Sequence, residues 1–362
     1  MKLSTYILFL VTILASCKNT EKQTKNNTVK QVEKPTTTPT NKVIEVAQFK
    51  GQQVTGVTVS NTGAIFVNFP RWRNNITTSV AQVTNTNNVV SYPNENWNSW
   101  KMGSPLSNNT FVCVQSVVAF KNNLYVLDTR NPQFKGVLDA PRIFVFNLKT
   151  KTLTKTYTLN ENAYFKDSYI NDLRIDKKHN SMYCTDSGHG GLVVINLETG
   201  ANKRILNEHT STTAEVDHLT FNGKKWNRTV HADGIALNEK QNKLYYHALS
   251  GYSLYAINTN DIHTKKESEL KNSVIFEAKT AAPDGMIFDD NGNLYFADLE
   301  NDKIMYRQPN GTIKTLIAGN NVKWADTFSI YNGYLYFTNS RINEVEGDIS
   351  NMIFTLNKIK IQ

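Results

Sequence analysis

Three cysteines in 362 residues are too few for a disulfide framework. Only one apolar run stands out, Tyr6 to Leu14 at the start of the chain, which excludes a multi-pass membrane protein. Sustained 3.6-residue apolar periodicity is missing, so long amphipathic helices are not expected. Basic clusters interleaved with aromatics are missing as well. Lys plus Arg number 40 against 31 Asp plus Glu, but seven lysines and two glutamates fall in residues 1–42, leaving +4 to the other 320 residues. Nucleic-acid binding is therefore without an electrostatic footprint. The seven histidines show no spacing such as His-Glu-x-x-His, and no nucleophile motif appears. Ser187 and His189 are neighbours in a Gly-rich stretch, Asp186 to Gly191, that reads as a tight turn. Aromatics, by contrast, are plentiful: 17 Phe, 16 Tyr and 5 Trp need a large core and exclude disorder of the whole chain.

The first residues read as an address. Met1-Lys2 supplies a positive start, the apolar stretch follows, and Leu14-Ala15-Ser16-Cys17 resembles a bacterial lipobox in which Cys17 is lipidated. Residues 18–42 are almost free of apolar side chains and cannot order themselves by burial. The expected organisation is a lipoprotein signal peptide over 1–16, a disordered tether over 17–42 and a folded unit over 43–362. Such a protein is exported, lipid-anchored to the cell envelope, and touches the membrane only through Cys17. Cys113 and Cys184 lie in strand-like apolar runs. Small buried hydrophobes are the simplest reading, with a disulfide between them left open.

Turn-punctuated β-rich runs fill the remainder, and they repeat. Each copy has a small or polar pair, an alternating strand, a turn rich in Asn, Gly or Lys, and an aromatic strand ending in a polar residue. Copies begin at Thr55, Gln115, Asn171, Asp233, Asp284 and Asp326. Spacings of 60, 56, 62, 51 and 42 residues each hold about four short strands, the size of a propeller blade. The prediction is an all-β fold, a monomeric six-bladed β-propeller. Its closure pairs Val43–Phe49 with Met352–Ile361 and hides both sheet edges.

Residues that open the inner strands of a propeller converge on its axis. Five of the six here carry an amide or carboxyl: Gln115, Asn171, Asp233, Asp284 and Asp326. Oxygen donors so arranged suit either a cationic amine or a hard cation such as Ca²⁺. No other cofactor is implied. Strand ends at Asp128, Asp186, Asp298 and Asn339 would add a second tier. An Asp at a strand start also serves the fold, by accepting turn N–H bonds, and both readings stand at this point. Asp233, Asp284 and His247 are candidate acids or bases.

Several segments resemble the Yellow/major royal jelly proteins. They are Phe66-Val67-Asn68-Phe69-Pro70-Arg71-Trp72, Ser91-Tyr92-Pro93-Asn94, Leu124-Tyr125-Val126-Leu127-Asp128, Thr185-Asp186-Ser187-Gly188 and Ala232-Asp233-Gly234-Ile235. The resemblance implies a six-bladed propeller whose members bind biogenic amines or convert dopachrome by tautomerisation. In amine binders, last-blade Thr and Asn side chains line the pocket, which points to Thr338, Asn339 and Asn351. A more distant similarity to gluconolactonase/regucalcin propellers implies a divalent cation on Asn171, Asp233 and Asp284. That family's first-blade Glu is replaced by Val54-Thr55. Three functions follow as expectations: a binder or tautomerase of a small aromatic, amine-bearing or quinone-like molecule, a metal-dependent lactonase or ester hydrolase, or a non-catalytic surface module.

Overall fold

The computed structural model describes residues 42–86 and 88–361. The expected signal peptide, Cys17 and the tether up to residue 41 lie outside the described residues. Six antiparallel four-stranded sheets are arranged in a ring. Their inner strands define blades 1 to 6: Val57–Val59, Val114–Phe120, Ile170–Asp176, Ala232–Asn238, Met286–Phe288 and Ala325–Tyr331. The second strands are Ile65–Asn68, Asn123–Asp128, Ser181–Asp186, Lys243–Ala248, Leu294–Asp298 and Tyr334–Asn339. Each sequence repeat is thus the inner half of one blade, and the fold is a six-bladed β-propeller.

Both faces of every blade are buried, because each sheet packs between two others. Along Ser181–Asp186, Met182 and Cys184 join the cluster shared with blade 2, while Tyr183 joins the cluster shared with blade 4. That is strand alternation with apolar groups on both sides, so the strand reads as a continuous apolar run. Six such clusters fill the six gaps between neighbouring blades. Cys113 and Cys184 are free, fully buried thiols, and burial raises both thiol pKa values.

Closure follows the expected pairing. Ile44–Lys50 adds antiparallel to Ile353–Lys360 as the outer strand of blade 6, with Phe49 opposite Phe354 and Ala47 opposite Leu356. Sheet edges from the two ends of the folded unit satisfy each other.

Three of the four polar residues expected to form a second tier of axial donors hold backbone instead, while the fourth, Asp298, accepts from Asn301 Nδ2 at 2.8 Å. Both oxygens of Asp128 accept backbone N–H bonds, from Val112 and Cys113, at 2.7 Å each. Asp186 accepts from Tyr169 N at 2.8 Å, and Asn339 Oδ1 from Lys323 N at 2.9 Å. Each ties the segment entering a blade to that blade's second strand, satisfying amides that a bend would otherwise orphan.

Candidate functional site

Inner strands begin irregularly where the repeats begin. Their pairing with the second strand slips between Val114 and Ser116, Ile170 and Leu173, Ala232 and Gly234, and Ala325 and Phe328. Gln115, Asn171, Asp233 and Asp326 fall inside these bulges, free of the ladder and re-aimed off the sheet. Asp284 sits just before its strand. The next position is crowded by the neighbouring blade. A Cβ on Gly234 would stand 2.7 Å from Asp284 O, and one on Gly285 2.4 Å from Asp326 O. The Asp-Gly pairs therefore exist because backbones pack this closely round the axis.

Thr185 Oγ1 donates to Asp233 O at 2.8 Å, and Asn68 Nδ2 to Gln115 O at 3.1 Å, so second strands latch the ring residues of the following blade. Thr338 Oγ1 does the same to Thr55 O. Thr338 is therefore spent on closing the ring and does not line the cavity. Asn339 is also engaged, donating to Asn321 O and Thr355 Oγ1, and it too stands off the wall. Thr55 is absent from the wall as well, its hydroxyl accepting from Asn68 Nδ2 at 3.0 Å. Asn351 is exposed.

The other five ring residues share one cavity of about 320 Å³ at the axis. Trp72, Phe134, Tyr169, Trp226 and Trp324 supply aromatic wall, and Arg73 and Arg228 also line it. A chain of hydrogen bonds crosses this site. Trp72 Nε1 donates to Tyr169 OH at 2.5 Å, and Tyr169 OH donates to Gln115 Oε1 at 2.9 Å. Gln115 Nε2 donates to Asn171 Oδ1 at 3.2 Å, and Asn171 Nδ2 donates to Asp233 Oδ2 at 2.7 Å and to Ser187 Oγ at 3.0 Å. Asp233 and Asp284 are hydrogen-bonded to each other, and Trp324 Nε1 donates to Asp284 Oδ2 at 2.7 Å. Two carboxyls in contact need a proton between them.

Electrostatics agree with that proton. Burial, reinforced by the charges of Asp326 and other carboxylates, holds Asp233 and Asp284 well above the ordinary carboxyl range. Burial pushes Asp326 up to about 7. Near neutral pH the cluster therefore mixes protonated and ionised carboxyls, the condition for acid and base work by one residue type. Burial also holds the Tyr169 phenol well above its usual value.

His247 is not brought to the cavity wall. It is buried, with Nδ1 2.7 Å from Ala248 O and Nε2 2.8 Å from Thr280 Oγ1, and burial pulls its pKa down to about 4. It is a neutral, satisfied core histidine. The donor set also fits a hard cation poorly. Asn171 turns its amide nitrogen onto Asp233, and Asp284 accepts from an indole N–H and shares a proton with Asp233. Among the described residues no group of three His, Cys, Asp or Glu side chains is arranged to hold a metal ion.

Phe134 is half exposed at the cavity and packs on Trp72 and Tyr169, with centroids 5.7 and 4.9 Å apart. Gln133 and Phe134 both have positive φ, 58° and 56°, which is unfavourable for such side chains. Bonds from Gln133 N to Arg71 O and from Gln133 Nε2 to Asn74 Oδ1 hold the strained loop in place. Sequence reading missed this aromatic wall and the two arginines. One signal was available: Tyr169 and Trp324 stand two residues before Asn171 and Asp326, the same place in two copies of the repeat.

A family model described as "Major royal jelly protein" matches residues 113–357. Major royal jelly protein 3 of Apis mellifera is 25% identical over 178 residues, 46% of this chain and 32% of that protein. The chain thus spans about a third of the length of the curated relative it matches. Among solved structures, a luciferin-regenerating enzyme superposes with TM-score 0.54 at 11% identity, covering 87% of this chain and 95% of that one. Virginiamycin B lyase from Staphylococcus aureus gives 0.51 at 12%, covering 89% and 100%. A gluconolactonase from Xanthomonas campestris gives 0.51 at 10%, covering 88% and 90%. At these identities the likeness shows the propeller fold alone.

Proposed function

Because the chain belongs to the major royal jelly protein family, we propose that it binds a small aromatic amine, or a quinone-like relative of one, in the axial cavity. One observation carries this reading: three buried carboxyls and two amides converge beneath an aromatic wall in a space of about 320 Å³. That volume suits a one- or two-ring ligand, with the rings against Trp72, Tyr169 and Trp324 and the ammonium on Asp233 and Asp284. The same carboxyls supply what tautomerisation requires. An ionised carboxylate takes a proton from ligand carbon while a protonated neighbour gives one to a ligand heteroatom, with no net oxidation. A metal-dependent lactonase is favoured less, because Asn171 turns its amide nitrogen toward Asp233 and, among the described residues, no three His, Cys, Asp or Glu side chains are grouped to hold a metal ion.

Replacing Asp233→Asn or Asp284→Asn should weaken tryptamine or dopamine binding at least about tenfold, the scale for losing a buried charge partner. Isothermal titration gives the affinities, with circular dichroism as the control for folding. Unchanged affinity in both variants would sink the proposal.

A further inference from the structure

Among the described residues, two guanidinium groups in the cavity wall, Arg73 and Arg228, have no carboxylate partner. Most other buried or half-buried arginines in the protein do: Arg174 pairs with Asp172 at 2.8 Å and Arg204 with Asp186 at 2.8 Å. Arg73 instead donates to the neutral Gln53 Oε1 at 2.6 Å, and Gln53 is itself part of the wall. Arg228 is exposed, lies over the Trp226 ring at 5.8 Å and, among the described residues, makes no side-chain hydrogen bond or ion pair. The two cations feel each other, since Arg228 is one cause of the lowered pKa of Arg73, after burial. Two like charges facing one space, while three acids of the same cavity sit apart in their own network, are an unbalanced arrangement. An anion placed between them would balance it, and a planar one would match the fork geometry of guanidinium.

We infer that Arg73 and Arg228 form an anion subsite, and that the preferred ligand is an aromatic zwitterion carrying a carboxylate as well as an amine. This rests on the aromatic-amine reading above. In such a pose the ammonium meets Asp233 and Asp284, the ring meets the aromatic wall, and the carboxylate bridges the two arginines. The site then discriminates between an amino acid and the corresponding amine.

Three indole probes separate the parts: tryptamine with the amine alone, indole-3-propionate with the carboxylate alone, and tryptophan with both. Isothermal titration on the full chain should give tryptophan an affinity at least about tenfold above tryptamine. Arg73→Gln and Arg228→Gln should each erase most of that difference by weakening tryptophan, while tryptamine, relieved of a like charge, binds no more weakly. Should tryptamine bind as well as tryptophan, with neither substitution mattering, the anion subsite is wrong and the aromatic-amine reading stands. Indole-3-propionate binding that depends on Arg228, without tryptamine binding, would keep the subsite and overturn the amine reading. Absence of binding by all three overturns both. Arg228 is exposed, so its substitution leaves the fold intact even where that of Arg73 does not.

Discussion

Asp326 is one of the residues that make the stability of this protein depend on pH. Its carboxyl is pushed up to about 7, from an unfolded value near 4, so the folded state holds a proton that the unfolded chain has lost. Stability from this group is complete below pH 4 and is lost as pH rises through about 7. Asp233 and Asp284 act in the same direction. His247, with its pKa pulled down to about 4, acts oppositely below 6.5, so the clean window lies above that value. Melting temperature should fall from pH 6.5 to 8.5, and Asp326→Asn, which mimics the protonated form, should flatten the slope. An equal slope in the variant would remove Asp326 from this account. A cationic ligand selects the ionised carboxyls, so its affinity should rise over the same interval.

Elements hold these residues by their ends. Asp186 closes the second strand of blade 3 and accepts from Tyr169 N, Ser168 Oγ and Arg204 Nη1. Replacing it with Ala would leave the buried Arg204 guanidinium without its carboxylate and free the segment that delivers Tyr169 and Asn171. The expected cost is about 3–5 kcal/mol in urea unfolding, with weaker ligand binding even where the protein remains folded. A loss under 1 kcal/mol would mean that the anchor is not needed. The paired inner and second strands were legible, because alternation and turn residues recur in each copy. The bulges were not, since each follows the first residue of its strand and leaves too little alternation before it for the change of phase to show. Nor was the hairpin of Leu219–Phe221 with Lys224–Trp226. It stands outside the repeat, and its Phe221 and Trp226 pack on Trp324 with centroids 5.3 and 5.0 Å apart.

For the molecule as a whole, the ring depends on one strand drawn from the other end of the folded unit. Deleting residues 42–50 removes Ala47 and Phe49 from the cluster between blades 6 and 1, and bares the edge of Ile353–Lys360. Loss of one buried Phe alone costs about 3–5 kcal/mol, and the open edge invites pairing between molecules. The truncated chain should melt markedly lower and show oligomers by size-exclusion chromatography. An unchanged melting temperature and a monomeric profile would show that the ring does not need this clasp.

Period and composition were enough for the blade count, the closing strand and five of the wall residues, because these follow from patterns repeated along the chain. Folding decided the rest. Thr338 and Asn339, carried over from resemblance, turned out to hold backbone, because inter-blade spacing sets which side chains reach the axis. Trp72, Phe134, Trp226, Arg73 and Arg228 come from segments outside the repeat, and their meeting at one cavity has no signature in local sequence. The protonation of the aspartates is also a tertiary property: each is an ordinary acid along the chain, and only burial beside the others makes it a weak one.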